Sequence, residues 1–245
     1  MSVTINKEAK NLSDILLNHN WCLVQLFDRV YSITIGNEES KWILKIHSKK
    51  IYSVKETDNL KRIQGIHGVP TLLLSGCIQN PEANYIIISK ASGLDLYEHV
   101  QLYGYLSEKE AKNIIKKLLL ILVKIHEKKV IHRDIKMENI VYDKDTKDIT
   151  LIDFEGKSTL EYNSPEQCKF DKITPKTDLW SVGILLHILV SGSYPFTDRK
   201  EIIHKKLHVR RVFSPDATDF IKCLLEREEL LRYNASEALN HPWID

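Results

Sequence analysis

This sequence predicts an α+β chain made of two regions of opposite character, and three observations predict it. Five short runs rich in β-branched and aromatic residues lie before residue 90. After residue 90, apolar residues recur at helical spacing instead. The length of 245 residues allows one good core or two small ones, and no large multidomain assembly. The expected layout is bilobal: a small β-rich lobe at 21–89, a larger helical lobe at 90–245, and a cleft between them. Residues 1–20 are expected to add a helical extension.

In chain order, Asn11 to His19 places Leu12, Ile15 and Leu16 on one helical face. That helix either packs on its own lobe or docks its apolar stripe on a second copy of the chain as a homodimer. The β-type runs are Cys22 to Phe27, Val30 to Ile35, Lys41 to Ile46, Thr71 to Gly76 and Tyr85 to Ser89. Gly36-Asn37-Glu38-Glu39-Ser40 supplies a turn between two of them. One helix interrupts the sheet from about Tyr52 to Ile63, with Val54, Leu60 and Ile63 as its apolar positions. Ser107-Glu108-Lys109-Glu110 reads as a capping box, a hydroxyl and a carboxylate satisfying free amides at a helix start. Behind it Ala111, Ile114, Ile115, Leu118, Leu119, Leu122 and Ile125 mark a core helix of about 20 residues. A second buried helix covers Asp178 to Val190, and a short last one ends at His241-Pro242.

Composition narrows the function classes. Lysine and arginine total 35 and acids total 33, a net charge of +2. Nucleic-acid binding needs such cations clustered, so no direct contact with nucleic acid is expected from the sum alone. The longest apolar run, Val182 to Val190, is broken by His187 and falls far short of the roughly 20 residues of a membrane span. The polar stretch from Met1 to Lys10 carries no signal-peptide core, so an intracellular chain is expected. Cys22, Cys77, Cys168 and Cys223 stand far apart and read as reduced thiols rather than a zinc site or disulfide framework.

The informative stretch is Val130-Ile131-His132-Arg133-Asp134-Ile135-Lys136-Met137-Glu138-Asn139-Ile140-Val141. Apolar pairs lead in and out, which suits a rigid loop between β-type segments that aims carboxylate, ammonium and amide into a cleft. Downstream, Leu151-Ile152-Asp153-Phe154 is another apolar run ending on a carboxylate. Asn139 and Asp153 together offer the oxygen donors that a hard divalent cation takes beside phosphates.

These residues resemble the eukaryotic-type protein kinase superfamily: H-R-D-x-K-x-x-N is complete from His132 to Asn139. The other landmarks follow in order. Trp42-Ile43-Leu44-Lys45 resembles the third-strand lysine motif, and Glu56 stands where the family's helix glutamate pairs with it. Asp153-Phe154 begins the metal-binding motif, Thr159-Leu160-Glu161-Tyr162 is similar to the substrate-docking segment, and Ser164-Pro165-Glu166 resembles A-P-E. Asp178 opens a segment like the family's central helix, and Arg232 suits the late arginine that pairs with Glu166.

The resemblance, over roughly residues 21 to 245, implies roles. Asp134 would accept or orient the proton of the attacking hydroxyl, and Lys136 would hold the transferring phosphoryl in the serine/threonine pattern. Lys45, oriented by Glu56, would bind the α- and β-phosphates of ATP, and Asn139 and Asp153 would hold Mg²⁺ or Mn²⁺. Ile88 would be the gatekeeper, and backbone groups of Ser89 and Ala91 would pair with adenine. Val30 would contact the nucleotide, Val141 would floor the adenine pocket and Asp95 would reach the ribose. His132, Arg133, Glu166, Arg232 and Asp178 would be structural. Asp95, Glu138 and Thr159 would meet a basic, arginine-containing protein substrate.

Three departures stand out. The stretch Gln25 to Tyr31, where the family's phosphate loop lies, has no glycine, so backbone amides would approach phosphates less closely. Glu155 replaces the glycine of D-F-G, which removes a backbone pivot beside Phe154. The segment from Phe154 to Pro165 is short, which speaks against control by loop phosphorylation. Gly104-Tyr105-Leu106-Ser107-Glu108 and Glu161-Tyr162-Asn163-Ser164-Pro165-Glu166 are similar to the small serine/threonine kinases of baculoviruses, including granuloviruses. That likeness implies a viral enzyme in the host cell's cytoplasm or nucleus, and in the virion, acting on an arginine-rich DNA-condensing protein. Two other readings compete: a pseudokinase serving as a nucleotide-binding or scaffold module, and a small-molecule phosphotransferase. Joint retention of Lys45, Asp134, Lys136, Asn139 and Asp153 argues against the first. Thr159, Ser164-Pro165-Glu166 and Arg232, a shelf for an extended peptide, argue against the second.

Overall fold

The early alternating runs form an antiparallel sheet: β1 (Trp21–Phe27), β2 (Val30–Ile35), β3 (Glu38–His47), β4 (Leu72–Cys77) and β5 (Asn84–Ser89), in the order β1-β2-β3-β5-β4. The computed structural model describes residues 21–35, 38–47, 49–77, 84–210 and 212–245. The expected N-terminal helix at Asn11 to His19 lies outside them. β3 begins three residues earlier than the sequence implied, so Glu38, Glu39 and Ser40 are strand rather than turn. The chain divides into two compact units, one from Met1–Gly65 and Pro70–Ala91, the other from Ile66–Val69 and Ser92–Asp245.

In the first unit, one sheet face packs Trp21, Ile33, Leu44, Tyr85 and Ile87 into an apolar cluster. Leu44 lies opposite Ile87 in the β3–β5 register. Strand alternation therefore sends Lys45, paired with Ile86, to the other face. That face receives the helix α1 (Lys50–Arg62). Its inward positions are Ser53, Glu56, Thr57 and Leu60, whereas Val54, expected to face inward, is 47% exposed. The helix turns a partly polar stripe inward because it has a charge to deliver, and apolar periodicity alone misplaces such a helix.

In the second unit, a small sheet of β6 (Leu94–Asp95), β7 (Ile140–Tyr142) and β8 (Ile149–Leu151) accompanies a helical body. The helices are α2 (Leu96–Tyr103), α3 (Glu108–Glu127), α4 (Pro165–Lys169), α5 (Lys176–Ser191), α6 (Arg199–His204), α7 (Pro215–Leu224) and α8 (Ala235–Leu239). The capping box forms as read: Ser107 Oγ accepts the Glu110 N–H at 3.3 Å, and Glu110 Oε2 accepts the Ser107 N–H at 3.0 Å. Every residue of α5 from Thr177 to Leu189 is buried. Gly183 permits this, since a Cβ there would stand 2.8 Å from Leu225 Cδ2 at the end of α7.

Two flanks differ from expectation. Val130 and Ile131 follow α3 without forming a strand, so only the exit of the His132–Asn139 stretch is β-type. β8 stops at Leu151, and Asp153 takes a left-handed backbone, φ 67°. No described helix is long and apolar enough to cross a membrane.

Candidate active site

The loop from His132 to Asn139 is fixed from beneath by one buried carboxylate. Asp178, near the start of α5, accepts the backbone N–H of His132 at 3.0 Å and of Arg133 at 2.8 Å, and lies 2.8 Å from His126 Nε2 at the end of α3. Burial by itself would raise this carboxyl. The hydrogen bond and charge of His126, with His132 and the Arg133 N–H, outweigh burial and hold Asp178 below its ordinary value. Arg133 is thereby kept at φ 74°. His132 is buried and spans the loop: its Nε2 lies 2.9 Å from the Ile152 carbonyl and its Nδ1 accepts the Asp134 N–H at 3.3 Å. That pair of contacts requires the tautomer with its proton on Nε2. Its ring meets Phe154 edge-on, centroids 4.9 Å apart.

On this support four side chains converge. Asp134 Oδ1 accepts the Thr159 hydroxyl at 2.7 Å, and Thr159 Oγ1 in turn accepts from Lys136 Nζ at 3.0 Å. Lys136 Nζ also stands 3.4 Å from Asp134 Oδ2. Asn139 Nδ2 donates to the Asp134 carbonyl at 2.7 Å and to Asp134 Oδ2 at 3.2 Å. With its nitrogen so committed, the Asn139 side chain keeps Oδ1 for another partner. The Ile152 N–H donates to the Asn139 carbonyl at 2.9 Å, which ties the Asp153 segment to this loop. Asp134 and Asn139 are 4% and 5% exposed, so the carboxylate works in a largely dry setting. Asn139 Oδ1 and the Asp153 carboxylate are oxygen donors of the kind that a hard divalent ion such as Mg²⁺ takes.

Around this centre lie the other second-unit positions. Glu166 pairs bidentately with Arg232, at 2.6 and 2.9 Å, and accepts the Thr177 hydroxyl at 2.9 Å. Burial opposes ionisation of Glu166, but Arg232 prevails and lowers its pKa. Asp95 caps α2: its Oδ1 accepts the Glu98 N–H at 2.8 Å, so one carboxylate oxygen is spent on structure. Val141 faces Asp95 in the β6–β7 register. Glu138 is exposed on a short 3-10 turn, Met137–Asn139. Glu155 is buried and ion-paired to Lys157, and Gly156 just after it takes φ 67°. The glycine missing from its usual place thus recurs one residue later, a shift that the sequence comparison with D-F-G overlooked.

In the first unit, Lys45 Nζ lies 3.1 and 3.3 Å from the two oxygens of Glu56. Val30 is the cross-strand partner of Lys45. Ile88 pairs with Ile43 at the end of β5. The Ser89 N–H is already given to the Thr71 carbonyl at 2.9 Å and is not available to a ligand, which narrows the adenine reading to its carbonyl. β1 and β2 are joined by a two-residue turn, Asp28-Arg29, with Arg29 at φ 59°. One residue escaped the sequence reading. His47, two past Lys45 on the same strand face, is buried with Nε2 3.1 Å from Glu56 Oε2, off the line of a hydrogen bond. The only sequence signal was a polar residue at an inward strand position.

Comparison with known proteins bears on this geometry. The chain is 28% identical to the CaM kinase-like vesicle-associated protein of Xenopus laevis, over 83% of this chain and 62% of that protein. It is 30% identical to sperm motility kinase 2B of Mus musculus, over 68% and 38%. It is 33% identical to an Aurora kinase of Schizosaccharomyces pombe, over 71% and 54%. The chain thus spans less than two thirds of the length of these relatives. The family model described as "Protein kinase domain" matches residues 28–244, a range that holds both the Lys45–Glu56 pair and the Asp134 centre. On that match, and on its sheet-then-helices architecture, this chain belongs to the protein kinase domain family.

Proposed function

We propose that the chain is an ATP-dependent protein kinase that moves the γ-phosphate of ATP to serine or threonine of a protein substrate. The observation that carries this reading is the hydrogen-bonded set of Asp134, Thr159, Lys136 and Asn139. A buried carboxylate that already accepts one hydroxyl hydrogen bond, from Thr159, suits a general base for a substrate hydroxyl. Lys136, 3.4 Å from it, would neutralise charge on the transferring group. Asn139 Oδ1 and Asp153 would hold Mg²⁺, or Mn²⁺ in its place. Bound there, the ion supplies charge neutralisation at the phosphates. Lys45 would bind the α- and β-phosphates with Glu56 as its orienting partner, as family resemblance assigns them. Ile88, the Ser89 carbonyl, Ala91, Val30 and Val141 would receive the adenine, and Asp95 its ribose.

The finer reading is a small serine/threonine kinase of viral type acting on a basic, arginine-rich DNA-condensing protein. Support comes from the motif likeness at Gly104–Glu108 and Glu161–Glu166, and from the acidic pair Asp95 and Glu138, suited to a guanidinium. A second reading, a pseudokinase scaffold, draws on the glycine-free Asp28-Arg29 turn. Radiolabel transfer from Mg²⁺-ATP to generic basic proteins separates the two. Wild type is expected to label substrate and Asp134→Asn to fall to background; equal background from both would favour the scaffold.

A further inference from the structure

Spacing along the chain shows no zinc motif, yet folding gathers three ligand-type side chains in the second unit. Asp219 and Cys223 stand four residues apart on α7, so they share one face of the helix. His241, just past α8, completes the group. Their ligand atoms, a carboxylate oxygen, the Cys223 sulfur and an imidazole nitrogen, all lie within 4.8 Å of one another. His241 Nε2 and Asp219 Oδ2 are 3.3 Å apart. None of the three belongs to the Asp134 set, and the proposed phosphotransfer gives them no role.

The group is graded from interior to surface. His241 is buried, Cys223 half-buried and Asp219 exposed. His241 is the fixed member. Its backbone N–H donates to the Ala238 carbonyl at 3.3 Å, its carbonyl accepts the Ile244 N–H at 2.8 Å, and the Phe220 ring packs on its own, centroids 5.0 Å apart. Tyr233 attends the sulfur: its hydroxyl is hydrogen-bonded to Cys223, and its N–H donates to the Cys223 carbonyl at 3.3 Å. Such outer contacts orient a ligand before a metal arrives. His241 Nδ1 accepts the Trp243 N–H at 3.1 Å, so the ring proton sits on Nε2 and points at Asp219. A cation would take that proton's place between the same two atoms.

We propose that Asp219, Cys223 and His241 form a zinc site, with three protein ligands and a fourth position open to water. Donor chemistry selects the ion. A thiolate with an imidazole suits zinc, whereas Mg²⁺ and Ca²⁺ take oxygen ligands. Bonds of about 2.0–2.3 Å to a tetrahedral zinc place neighbouring ligand atoms roughly 3.3–3.6 Å apart. The His241–Asp219 pair already has that spacing, and the sulfur has to close by at most about 1.2 Å. On binding, the thiol proton leaves to solvent and the ring proton passes from Nε2 to Nδ1. The Trp243 amide then gives up its acceptor, a cost that makes the ion exchangeable rather than permanent. The bound ion clips α7 to the segment after α8. The four scattered cysteines were expected to be plain thiols, and the proposal departs from that at Cys223 alone.

The test is a titration of the full chain, reduced and stripped of metal, with Co²⁺ and then Zn²⁺, followed by absorbance. Co²⁺ is expected to bind at one ion per chain with a thiolate-to-cobalt charge-transfer band, which an equal amount of Zn²⁺ abolishes. Zn²⁺ at about 100 times its Kd is expected to raise the melting temperature by several degrees. Cys223→Ser is expected to lose the cobalt band, whereas Cys22→Ser and Cys77→Ser keep it. Asp219 is exposed, so Asp219→Ala is expected to fold as wild type does and to bind Zn²⁺ roughly tenfold or more weakly. Wild type without a cobalt band, a band that survives Cys223→Ser, or Asp219→Ala with wild-type Zn²⁺ affinity would each overturn the proposal.

Discussion

Asp134 and Asp178 are both buried aspartates with several hydrogen bonds, yet they differ in what those bonds leave over. Asp178 accepts backbone amides and faces no solvent, whereas Asp134 keeps 4% of its surface and meets a hydroxyl. Lys45→Met and Asp153→Asn are each expected to abolish phosphotransfer with the fold retained, Asp153→Asn within a degree or two of the wild-type melting temperature and Lys45→Met several degrees below it, because it strands the buried Glu56 carboxylate. A collapse of the fold would instead make those side chains structural. Asp178 and Glu166 predict the acid limit. Their folded pKa values lie below the unfolded values of about 3.9 and 4.3. The stability they contribute is complete above those unfolded values and is lost as pH falls through the folded ones. Urea midpoints are therefore expected to drop below about pH 4.5, more gently in Asp178→Asn, which starts less stable. A midpoint that climbs on acidification would contradict this. At this scale the sequence was legible wherever order and spacing were joint, as from His132 to Asn139. His47 was not legible, because one polar residue on a strand carries no periodic signal.

Elements show where one side chain serves two purposes. Asp95 caps α2 with one oxygen and, in the proposed function, offers the other to a ligand. Asp95→Ala is expected to cost about 1 kcal/mol of stability through the lost cap. Asp95→Asn keeps a capping oxygen, so it should hold the melting temperature yet weaken preference for arginine in a peptide library. If the asparagine variant matches wild type in that library, the carboxylate is a cap and nothing more. The strands and α3 were readable from periodicity and the Ser107 box. α1 was placed correctly, with Leu60 and Ile63 buried as read and Glu56 turned inward, and only Val54 faces solvent. β6 spans only two residues and α2 begins directly after it, too little for a pattern to register.

For the molecule as a whole, Leu12, Ile15 and Leu16 remain a reading from sequence, and from them we propose self-association. Light scattering of Leu12→Asp with Leu16→Asp is expected to halve the mass of a wild-type dimer; an unchanged mass removes this stripe as the contact. The kinase family was legible because its chemistry is written in contiguous motifs. The anchoring of the His132–Asn139 loop also bears on how this sequence can diverge. Asp178 grips Arg133 by its amide, not by its guanidinium. Descendants can therefore exchange the Arg133 side chain and keep the loop in place, with glycine or asparagine best suited to φ 74°. Little such latitude exists at position 178, where a side chain without an acceptor oxygen strands two amides at once. Variation in the loop is thus licensed by a single carboxylate on α5.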